Sequence, residues 1–355
     1  AIWECGVAQR TLGLKRQIMN TDRPVCGEGF DDDLRSPDST KFKLLPPERV
    51  RELSKIDSWQ AATAVAKTFT IIIGALTFAY LLWNPVLVAV TIAIIATQQH
   101  ALIVLCHDST HYRLFNSRWL NDLVGRVCGM VVGVSMCTYR IVHRLHHNHL
   151  YQDQDPDIPL HGGYPRGRVY LVKKLLRDLC GLSAWKTYAY FFGAPSANTA
   201  SSGQPLSPLD DTSKRLRNSA RDDRLLVAGS HATALFLAFA TGYGLQYLLL
   251  WVLPLATVVP ALLRLRALCE HGAVNDLTSP LSAARTNLSP RWLRWILFPH
   301  HVNYHLEHHI YPAIPHYNLP NCHREMVKLG VLEKAEIRSV QETFGLLFAD
   351  SPAAN

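Results

Sequence analysis

Two long stretches of the chain contain no charged side chain. The first runs from Thr68 to His107 and the second from Leu225 to Leu263, and neither contains Asp, Glu, Lys or Arg. A helix needs about 20 apolar residues to cross the roughly 30 Å hydrocarbon layer of a membrane. Each stretch is therefore about as long as two membrane-spanning helices.

Each uncharged stretch also carries a turn signal near its middle. The signals are "WNP" (83–85) in the first stretch and "TGYG" (241–244) in the second, and proline and glycine are strong interrupters of helices. The pattern predicts two helical hairpins, and hence an all-α, multi-pass membrane protein with four transmembrane helices. The predicted spans cover residues 62–83, 86–106, 225–243 and 245–263. The competing interpretation is that these are pairs of buried helices in a soluble protein.

The distribution of charge favours the membrane interpretation and predicts the topology. Charged residues make up 18% of the chain, below the roughly 25% that is typical of soluble domains. The short connections inside the hairpins carry no Lys or Arg, whereas the three long polar segments are rich in both. The positive-inside rule therefore places the long segments in the cytoplasm. The net charge of +8 then indicates contact with membrane lipids, and we expect no nucleic-acid binding because no nucleic-acid-binding module is recognisable.

The same pattern divides the chain into three parts. Residues 1–57 are predicted to be a cytoplasmic arm, residues 58–325 a membrane and catalytic domain with a helical cytoplasmic cap, and residues 326–355 a cytoplasmic tail. Within the domain, residues 119–136 are predicted to form an interfacial or re-entrant helix. Residues 165–192 alternate basic and aromatic side chains, which is typical of a helix at the headgroup surface. An amphipathic helix packed on the cytoplasmic cap fits that last pattern equally well.

Three groups of histidines have helical spacing. They occur in "HDSTH", "HRLHH" and "HLEHH". Residues three and four apart lie on one face of a helix, so several imidazoles can converge on a metal ion, and imidazole is a ligand for Fe, Cu, Zn and Ni. Eight imidazoles exceed the coordination sphere of one metal, which predicts a two-metal centre. The eight candidates are His107, His111, His143, His146, His147, His305, His308 and His309.

Other metal motifs are absent from the sequence. A zinc protease would contain HExxH and the carboxylate di-iron bundles contain Glu-x-x-His pairs, and neither occurs here. We therefore expect a site built mainly from nitrogen ligands. The predicted topology is consistent with such a site, because the first group follows the second span, the second group lies in the next loop and the third group follows the fourth span. All three groups then face the cytoplasm.

The extended motifs are similar to the three histidine boxes of the membrane-bound fatty acid desaturase superfamily. The matching segments are "HDSTHYRLF", "HRLHHNHLYQDQDPD" and "NYHLEHHIYPAIPHYNLP", and the resemblance covers roughly residues 60–325. It implies a non-haem di-iron centre, O2 as oxidant and introduction of a double bond into an acyl-lipid or acyl-CoA chain. It also implies a further ligand after the fourth span, for which "RLRALCEHGA" offers His271.

Carboxylates beside these boxes could accept the second ring N–H of a ligand imidazole. The candidates are Asp108, Asp153, Asp155, Asp157, Glu270 and Glu307, although a solvated turn explains the three aspartates of "QDQDPD" equally well. Histidines near the boxes that break their spacing could act beside the metal or the substrate, and they are His100, His149, His300, His301 and His316. We treat His161, His231 and His323 as structural, and no separate catalytic acid or base is assigned.

The sequence predicts that reducing equivalents come from another protein. It contains no HPGG-type haem segment, no cysteine spacing for an iron–sulfur cluster and no dinucleotide fingerprint, so we expect no bound haem or nucleotide. A ferredoxin, a rubredoxin or a cytochrome b5-type protein could donate the electrons. A basic cytoplasmic surface would attract an acidic donor.

Three alternatives remain open at the level of sequence. On the same scaffold the enzyme could be a hydroxylase or a terminal-alkene-forming fatty acid decarboxylase, because the boxes do not distinguish these outcomes. A histidine-rich metal transporter is a third possibility, but a transporter should place its ligands near the bilayer midplane between broken helices. The expected location is a bacterial inner membrane or the endoplasmic reticulum, with the active site on the cytoplasmic face.

Overall fold

The computed structural model of this chain describes residues 44–193, 214–274 and 279–350, and these residues are mostly helical. The described helices are α1 (Pro47–Leu53), α2 (Ser58–Leu81), α3 (Pro85–Thr110), α4 (Arg118–Met130), α5 (Met136–Asn148), α6 (Ile158–His161), α7 (Arg168–Leu179), α8 (Ala184–Phe191), α9 (Lys214–Ala240), α10 (Gly244–His271), α11 (Arg291–Leu297), α12 (His305–Ile310), α13 (Leu319–Lys328) and α14 (Val340–Leu347). Three short 3-10 helices cover Pro280–Ser282, Pro299–His301 and His316–Asn318. The predicted helical class is confirmed, apart from two three-residue parallel strands, β1 (Thr286–Leu288) and β2 (Ile337–Ser339). Most of the predicted arm, residues 1–43, lies outside the described residues.

The first predicted hairpin is formed by α2 and α3. The Asp57 side chain caps α2 by accepting from the backbone N–H of Trp59 at 2.9 Å. The Asn84 side chain caps α3 by accepting from the backbone N–H of Leu87 at 3.0 Å, and Pro85 occupies the first helical position. Such caps satisfy backbone donors that have no partner within the helix, and a proline at the first position needs no donor. The "WNP" turn therefore ends one helix and begins the next.

The second predicted hairpin is formed by α9 and α10, which are joined by a three-residue turn with Gly242 at φ 83°. Among the described residues, the helices α2, α3 and α10 are long and apolar enough to cross a membrane. The first part of α9 is rich in Lys, Arg and Asp, so the predicted span 225–243 corresponds only to its second part. The count of four spans stays a prediction.

Helix α10 is irregular near its middle. It contains a π-helical turn at Leu248–Val252, and the backbone departs from helical geometry at Thr257, with φ −123° and ψ −71°. The causes are Pro254 and Pro260, because a proline inside a helix lacks the N–H donor and crowds the preceding turn. The predicted span 245–263 lies within this helix.

Two short helices present apolar side chains to the outside. On α4 the exposed residues Trp119, Leu123 and Val127 are spaced four apart, and on α7 the exposed residues include Val169 and Leu176. A helix with one apolar face exposed and a polar or basic remainder is typical of a membrane surface. The structure therefore favours the surface interpretation for these two segments, although the first helix ends at Met130 and is shorter than predicted.

Arg140 of α5 holds the end of α3 against α4. Its guanidinium donates to the backbone oxygens of Ser109 at 2.8 Å and Thr110 at 3.1 Å and to the carboxylate of Asp122 at 2.6 Å. The carbonyls at the end of a helix have no partner within that helix, and Arg140 satisfies two of them. This arrangement fixes the end of α3 that carries the first histidine box.

The carboxy-terminal part packs against the end of α10. Strand β2 pairs with β1 in parallel, and Val340 and Leu347 of α14 join a buried apolar cluster with Leu268 of α10. The predicted boundary at residue 325 falls inside α13. The described residues after that boundary are therefore part of the packed body that surrounds the histidines.

Candidate metal centre

Four of the histidines form a first cluster at the carboxyl end of α3. These are His107 and His111 of α3, His143 of α5 and His308 of α12, and one ring nitrogen from each lies within 4.8 Å of the others. The ring centroid of His107 lies 4.3 Å from that of His143 and 4.7 Å from that of His308. Three separate helices thus each direct a face that carries histidine toward the same point.

Four further histidines form a second cluster at the carboxyl end of α10. They are His146 of α5, His271 of α10, and His305 and His309 of α12, again with one ring nitrogen each within 4.8 Å of the others. The Nε2 atom of His305 lies 3.0 Å from Nε2 of His271 and 3.2 Å from Nε2 of His309. Such convergence of imidazole nitrogens is the arrangement that a metal ion requires.

His147 lies between the two clusters. Its Nε2 atom is 3.0 Å from Nε2 of His143 in the first cluster, and its ring stacks on His309 of the second cluster with 4.3 Å between centroids. All nine histidines predicted as ligands therefore lie together at one end of α3 and α10. Their role as ligands stays a prediction.

The chemistry of these nitrogens fits metal ions. The Nε2 atoms of His107, His111 and His308 are buried and have no hydrogen-bond partner among the described residues. Burying a polar group without a partner costs about 1–3 kcal/mol on the scale of protein mutations. A cation at the centre of the first cluster would remove that cost for all three. The donor set, neutral nitrogen without a carboxylate in either four-residue cluster, suits Fe, Cu, Zn or Ni.

Burial keeps most of these imidazoles neutral. It holds the pKa of His111, His143 and His308 well below the usual histidine value, and the neighbouring imidazoles lower it further. Because the neutral ring is the form that binds a metal, the unprotonated side chains are ready for coordination. His146 differs, because burial disfavours its charge but the carboxylates of Asp155 and Asp157 outweigh burial and raise its pKa to about 9.

The nearest carboxylate to His146 belongs to Asp155. Its Oδ1 atom lies 2.9 Å from His146 Nδ1, and it also accepts from the backbone N–H of Asp157 at 2.9 Å. Asp157, which we predicted for this role, is at 3.6 Å from the same ring nitrogen. Asp153 is exposed. Within the acidic segment after the second box, Asp155 is therefore a buried partner of the site, whereas Asp153 is solvated.

Two other predicted carboxylates lie beside cluster histidines. The Asp108 carboxylate is 3.2 Å from Nδ1 of His107 and 2.6 Å from Nδ1 of His316. The Glu270 carboxylate is 3.7 Å from Nε2 of His305 and forms an ion pair with the Arg266 guanidinium at 3.2 Å. Asp108 is thus placed to orient the His107 ring, whereas Glu270 faces Nε2 of His305, the nitrogen that points into the second cluster.

For Glu307 the structure corrects the prediction. Its carboxylate lies 2.5 Å from Nδ1 of His323 and accepts from the Thr286 hydroxyl at 2.5 Å, and neither partner belongs to a cluster. The reason is helical geometry: position 307 points away from the face that carries His305 and His309, because two residues correspond to a rotation of roughly 200°. Glu307 therefore anchors α12 from behind.

Sequence reasoning missed two groups beside the second cluster. His161 forms a possible metal-binding group with His146 and Asp155, with ligand atoms within 4.8 Å. The Tyr151 hydroxyl lies 3.4 Å from Nδ1 of His271. Both residues follow the end of α5 at Asn148, so the helical spacing of the second box held no signal for them. His316, for which we predicted a possible role beside the metal or the substrate, contacts Asp108 as described above.

Comparison with known proteins identifies the family. The sequence profile of the family described as fatty acid desaturase matches residues 51–339, which include all nine clustered histidines and all three boxes. The chain belongs to the fatty acid desaturase family. The expected resemblance is thereby confirmed at the level of the family.

Relatives within the desaturase family are distant. The chain is 27% identical over 278 residues to a chloroplastic omega-3 fatty acid desaturase of Glycine max, covering 74% of this chain and 59% of the relative. It is 28% identical over 283 residues to an sn-2 acyl-lipid omega-3 desaturase (ferredoxin) of Helianthus annuus, covering 74% and 60%. It is 24% identical over 317 residues to an sn-1 oleoyl-lipid 12-desaturase of Synechocystis sp., covering 86% and 83%. The chain thus spans about 60% of the length of the two plant relatives.

Proposed function

We propose that this member of the desaturase family is an oxygen-dependent di-iron enzyme that introduces a double bond into a lipid acyl chain. The observation that carries the proposal is the pair of four-histidine clusters, with His147 between them, at the ends of two apolar helices. Two clusters of this kind fit two metal ions. The names of the relatives from Helianthus annuus and Synechocystis sp. describe reactions on acyl lipids, which supports a lipid substrate.

Each four-histidine cluster would bind one of the two irons. His107, His111, His143 and His308 would hold one ion, and His146, His271, His305 and His309 the other. When bound, the iron pair supplies the activation of O2 that removal of hydrogen from an unactivated C–H bond requires. The contribution of the chain is to keep most of the imidazoles neutral and to fix their orientation.

Neighbouring side chains orient and shield the site. Asp108 and Asp155 each accept from the Nδ1–H of a cluster histidine, which leaves Nε2 of that ring free to bind a metal. On the side of the first cluster, the buried Tyr139 ring lies 5.5 Å from the His143 ring and 5.1 Å from the Phe191 ring. This aromatic wall excludes water from one side of the cluster, and water exclusion protects reactive species.

The proposed topology has four spans and a cytoplasmic active site. Helices α2, α3 and α10 are the long apolar helices, and the second part of α9 completes the set with exposed apolar residues such as Leu235, Phe236 and Phe239. An apolar surface of this kind suits contact with lipid. The basic segments at the clustered end support its assignment to the cytoplasmic side.

We propose that a separate acidic electron carrier reduces the irons. The relative from Helianthus annuus carries ferredoxin in its name, which supports a ferredoxin as donor over a rubredoxin or a cytochrome b5-type protein. The net charge of +8 would accelerate the approach of such a donor, and this attraction should weaken as salt rises.

Fatty-acid profiling tests the proposal. The chain is expressed with a ferredoxin system in a host of known lipid content, beside His308→Ala and His231→Ala variants. His231 lies outside the clusters, with its ring nitrogen 2.8 Å from the backbone oxygen of Met130. We expect a new unsaturated fatty acid with the wild type and His231→Ala, and none with His308→Ala. A hydroxylated product would instead identify a hydroxylase, and a terminal alkene would identify a decarboxylase. Transport of exchangeable zinc would contradict an enzymatic function and favour a metal transporter.

A further inference from the structure

A cavity of about 590 Å³ lies beside the first cluster, between α2, α3 and α11. This volume is within the 300–1,000 Å³ range of small-molecule sites. Its wall runs along α2 from Gln60 to Ile71, which corresponds to about 16 Å at the rise of an α-helix. The cavity thus begins at the end of α2 that lies near the histidines and extends along the apolar part of that helix.

The lining of the cavity carries positive charge without a matching carboxylate among the described residues. Lys67, Arg291 and Arg294 line it, and no Asp or Glu is among the described lining residues. None of these three cations forms an ion pair with a described residue, and the Nε atom of Arg294 is buried without a hydrogen-bond partner. A buried donor without a partner costs free energy unless a ligand satisfies it. Lys67 and Arg291 are exposed and Arg294 is half-buried, so an anionic group in the cavity could contact all three cations and satisfy the buried Arg294 donor.

Two consecutive residues of the wall are held in a strained backbone conformation. His300 and His301 have φ values of 52° and 59°, in the left-handed region that residues other than glycine rarely adopt. Strain of this kind persists where the surrounding structure enforces it and is often found at ligand sites. Burial lowers the pKa of His300 to about 3 and that of His301 to about 4. Both rings are therefore neutral hydrogen-bonding groups at pH 7.

The cavity is connected to the first metal cluster through one short relay. His316 lines the cavity, and its Nδ1 atom lies 2.6 Å from the Asp108 carboxylate, which in turn lies 3.2 Å from Nδ1 of His107. Apolar residues, among them Ile71, Ala101 and Phe298, also line the cavity. An amphiphile could therefore place an anionic group against the cations and its chain against these apolar residues.

We propose that this cavity binds the phosphate of a phospholipid acyl donor, with Lys67, Arg291 and Arg294 as its cationic contacts. A phosphodiester offers several acceptor oxygens and one full negative charge, and guanidinium groups match that geometry with paired N–H donors. The inference deepens the proposed function and rests on it, because it names the form in which the acyl chain reaches the histidine clusters. A phospholipid held here would also stay anchored in the bilayer.

Binding to the full-length protein in a neutral detergent tests the inference without measuring activity. The probes are a short-chain phosphatidylglycerol, the diacylglycerol with the same acyl chains, coenzyme A and inorganic phosphate. Binding is followed by tryptophan fluorescence, because Trp295 lines the cavity, and by mass spectrometry of the intact complex. We expect phosphatidylglycerol to bind at least about tenfold more tightly than diacylglycerol and inorganic phosphate to compete with it, since a charge-assisted contact discriminates by that order.

Paired variants assign the binding to the cavity. The double change Lys67→Gln with Arg294→Gln should weaken phosphatidylglycerol binding about tenfold or more. The matched control, Lys173→Gln with Arg177→Gln, removes the same charge from exposed positions of α7 and should change the affinity less than about twofold. Arg294→Lys should recover part of the lost affinity. Equal iron content and equal elution volume confirm that each variant is folded.

The outcomes separate this inference from the proposed reaction. Equal binding by the two double variants, or equal binding of diacylglycerol, would overturn the phosphate site even in an active desaturase. A preference for coenzyme A over phosphatidylglycerol would overturn the assignment to a phospholipid. A chain that forms no unsaturated product could still bind phosphatidylglycerol and lose that binding in the Lys67→Gln with Arg294→Gln variant. This result would support the phosphate site and contradict only the proposed reaction.

Discussion

The carboxylate of Asp155 offers the sharpest test of how the second cluster is held. Its Oδ1 atom lies 2.9 Å from Nδ1 of His146, and the side chain is fully buried. It also accepts from the backbone N–H groups of Tyr151 at 3.1 Å and Asp157 at 2.9 Å. Substitution by Asn preserves the size of the side chain, removes its charge and leaves one acceptor oxygen for three donors. We therefore expect Asp155→Asn to disturb the orientation of the His146 ring.

The size of the effect follows from these contacts. Loss of a carboxylate that orients a metal-ligating imidazole typically lowers metal affinity about 10–100-fold, equivalent to about 1.4–2.8 kcal/mol. A buried hydrogen bond to a charged group contributes about 1.5–3 kcal/mol, which agrees with that range. The Asn side chain must also direct its NH2 group toward at least one of the former donors. We accordingly expect a loss near the upper end, about 100-fold, at the second iron.

The assay is chelator competition with iron counted per chain by elemental analysis. Wild type is expected to release two irons, whereas Asp155→Asn should release one of them at a chelator concentration about 100-fold lower. Asp153→Asn provides a matched control, because Asp153 belongs to the same acidic segment and is exposed. Mössbauer spectra of the partly depleted protein should show a mononuclear site. Wild-type iron retention in Asp155→Asn, or an equal loss in Asp153→Asn, would refute the reasoning.

Three destabilising changes and one control change test the packing around the site, each by thermal unfolding in detergent. Glu307→Gln should lower stability by about 1–3 kcal/mol, because the buried carboxylate loses its charge, while the purified protein keeps both irons. Gly125→Ala should cost about 1–3 kcal/mol, because the new methyl would lie 2.5 Å from Met136 Sδ. Gly74→Ala, where nothing lies within 4 Å, should be neutral or stabilising. Arg140→Gln should cost about 3 kcal/mol or more, because its ion pair with buried Asp122 is lost. An unchanged midpoint in any destabilising variant would contradict the corresponding contact.

The helices and their ends were predictable because their causes are local. The uncharged stretch of α3 and the Asn-Pro pair before it can be recognised within a few residues of the sequence, and the structure places the helix start at Pro85. The outcome for α9 differs from the prediction because the helix begins at Lys214, well before the uncharged run. Hydropathy identifies the apolar part of a helix, but hydrogen bonding continues into the charged part.

The partners of the carboxylates were not predictable from spacing. The three aspartates of the acidic segment look equivalent in sequence, yet Asp155 is buried against His146 while Asp153 is exposed. Glu307 is adjacent to His308 in the third box but faces Thr286. For the aspartates, the contact depends on the path of the chain after α5. For Glu307, it depends on which face of α12 the side chain occupies and on what packs against that face. Both depend on distant parts of the fold.

The sequence by itself determined that apolar hairpins are followed by histidines on single helical faces, because a period of 3.6 residues is a property of each helix alone. Only the tertiary structure decided how those faces meet. It assigns His143 and His146 of one helix to different clusters, and it pairs His308 with the first cluster but His305 and His309 with the second. It also formed the cationic cavity from residues that are far apart in the chain. These assignments depend on how α3, α5, α10 and α12 come together around the histidines, and long-range packing leaves no periodic trace in the sequence.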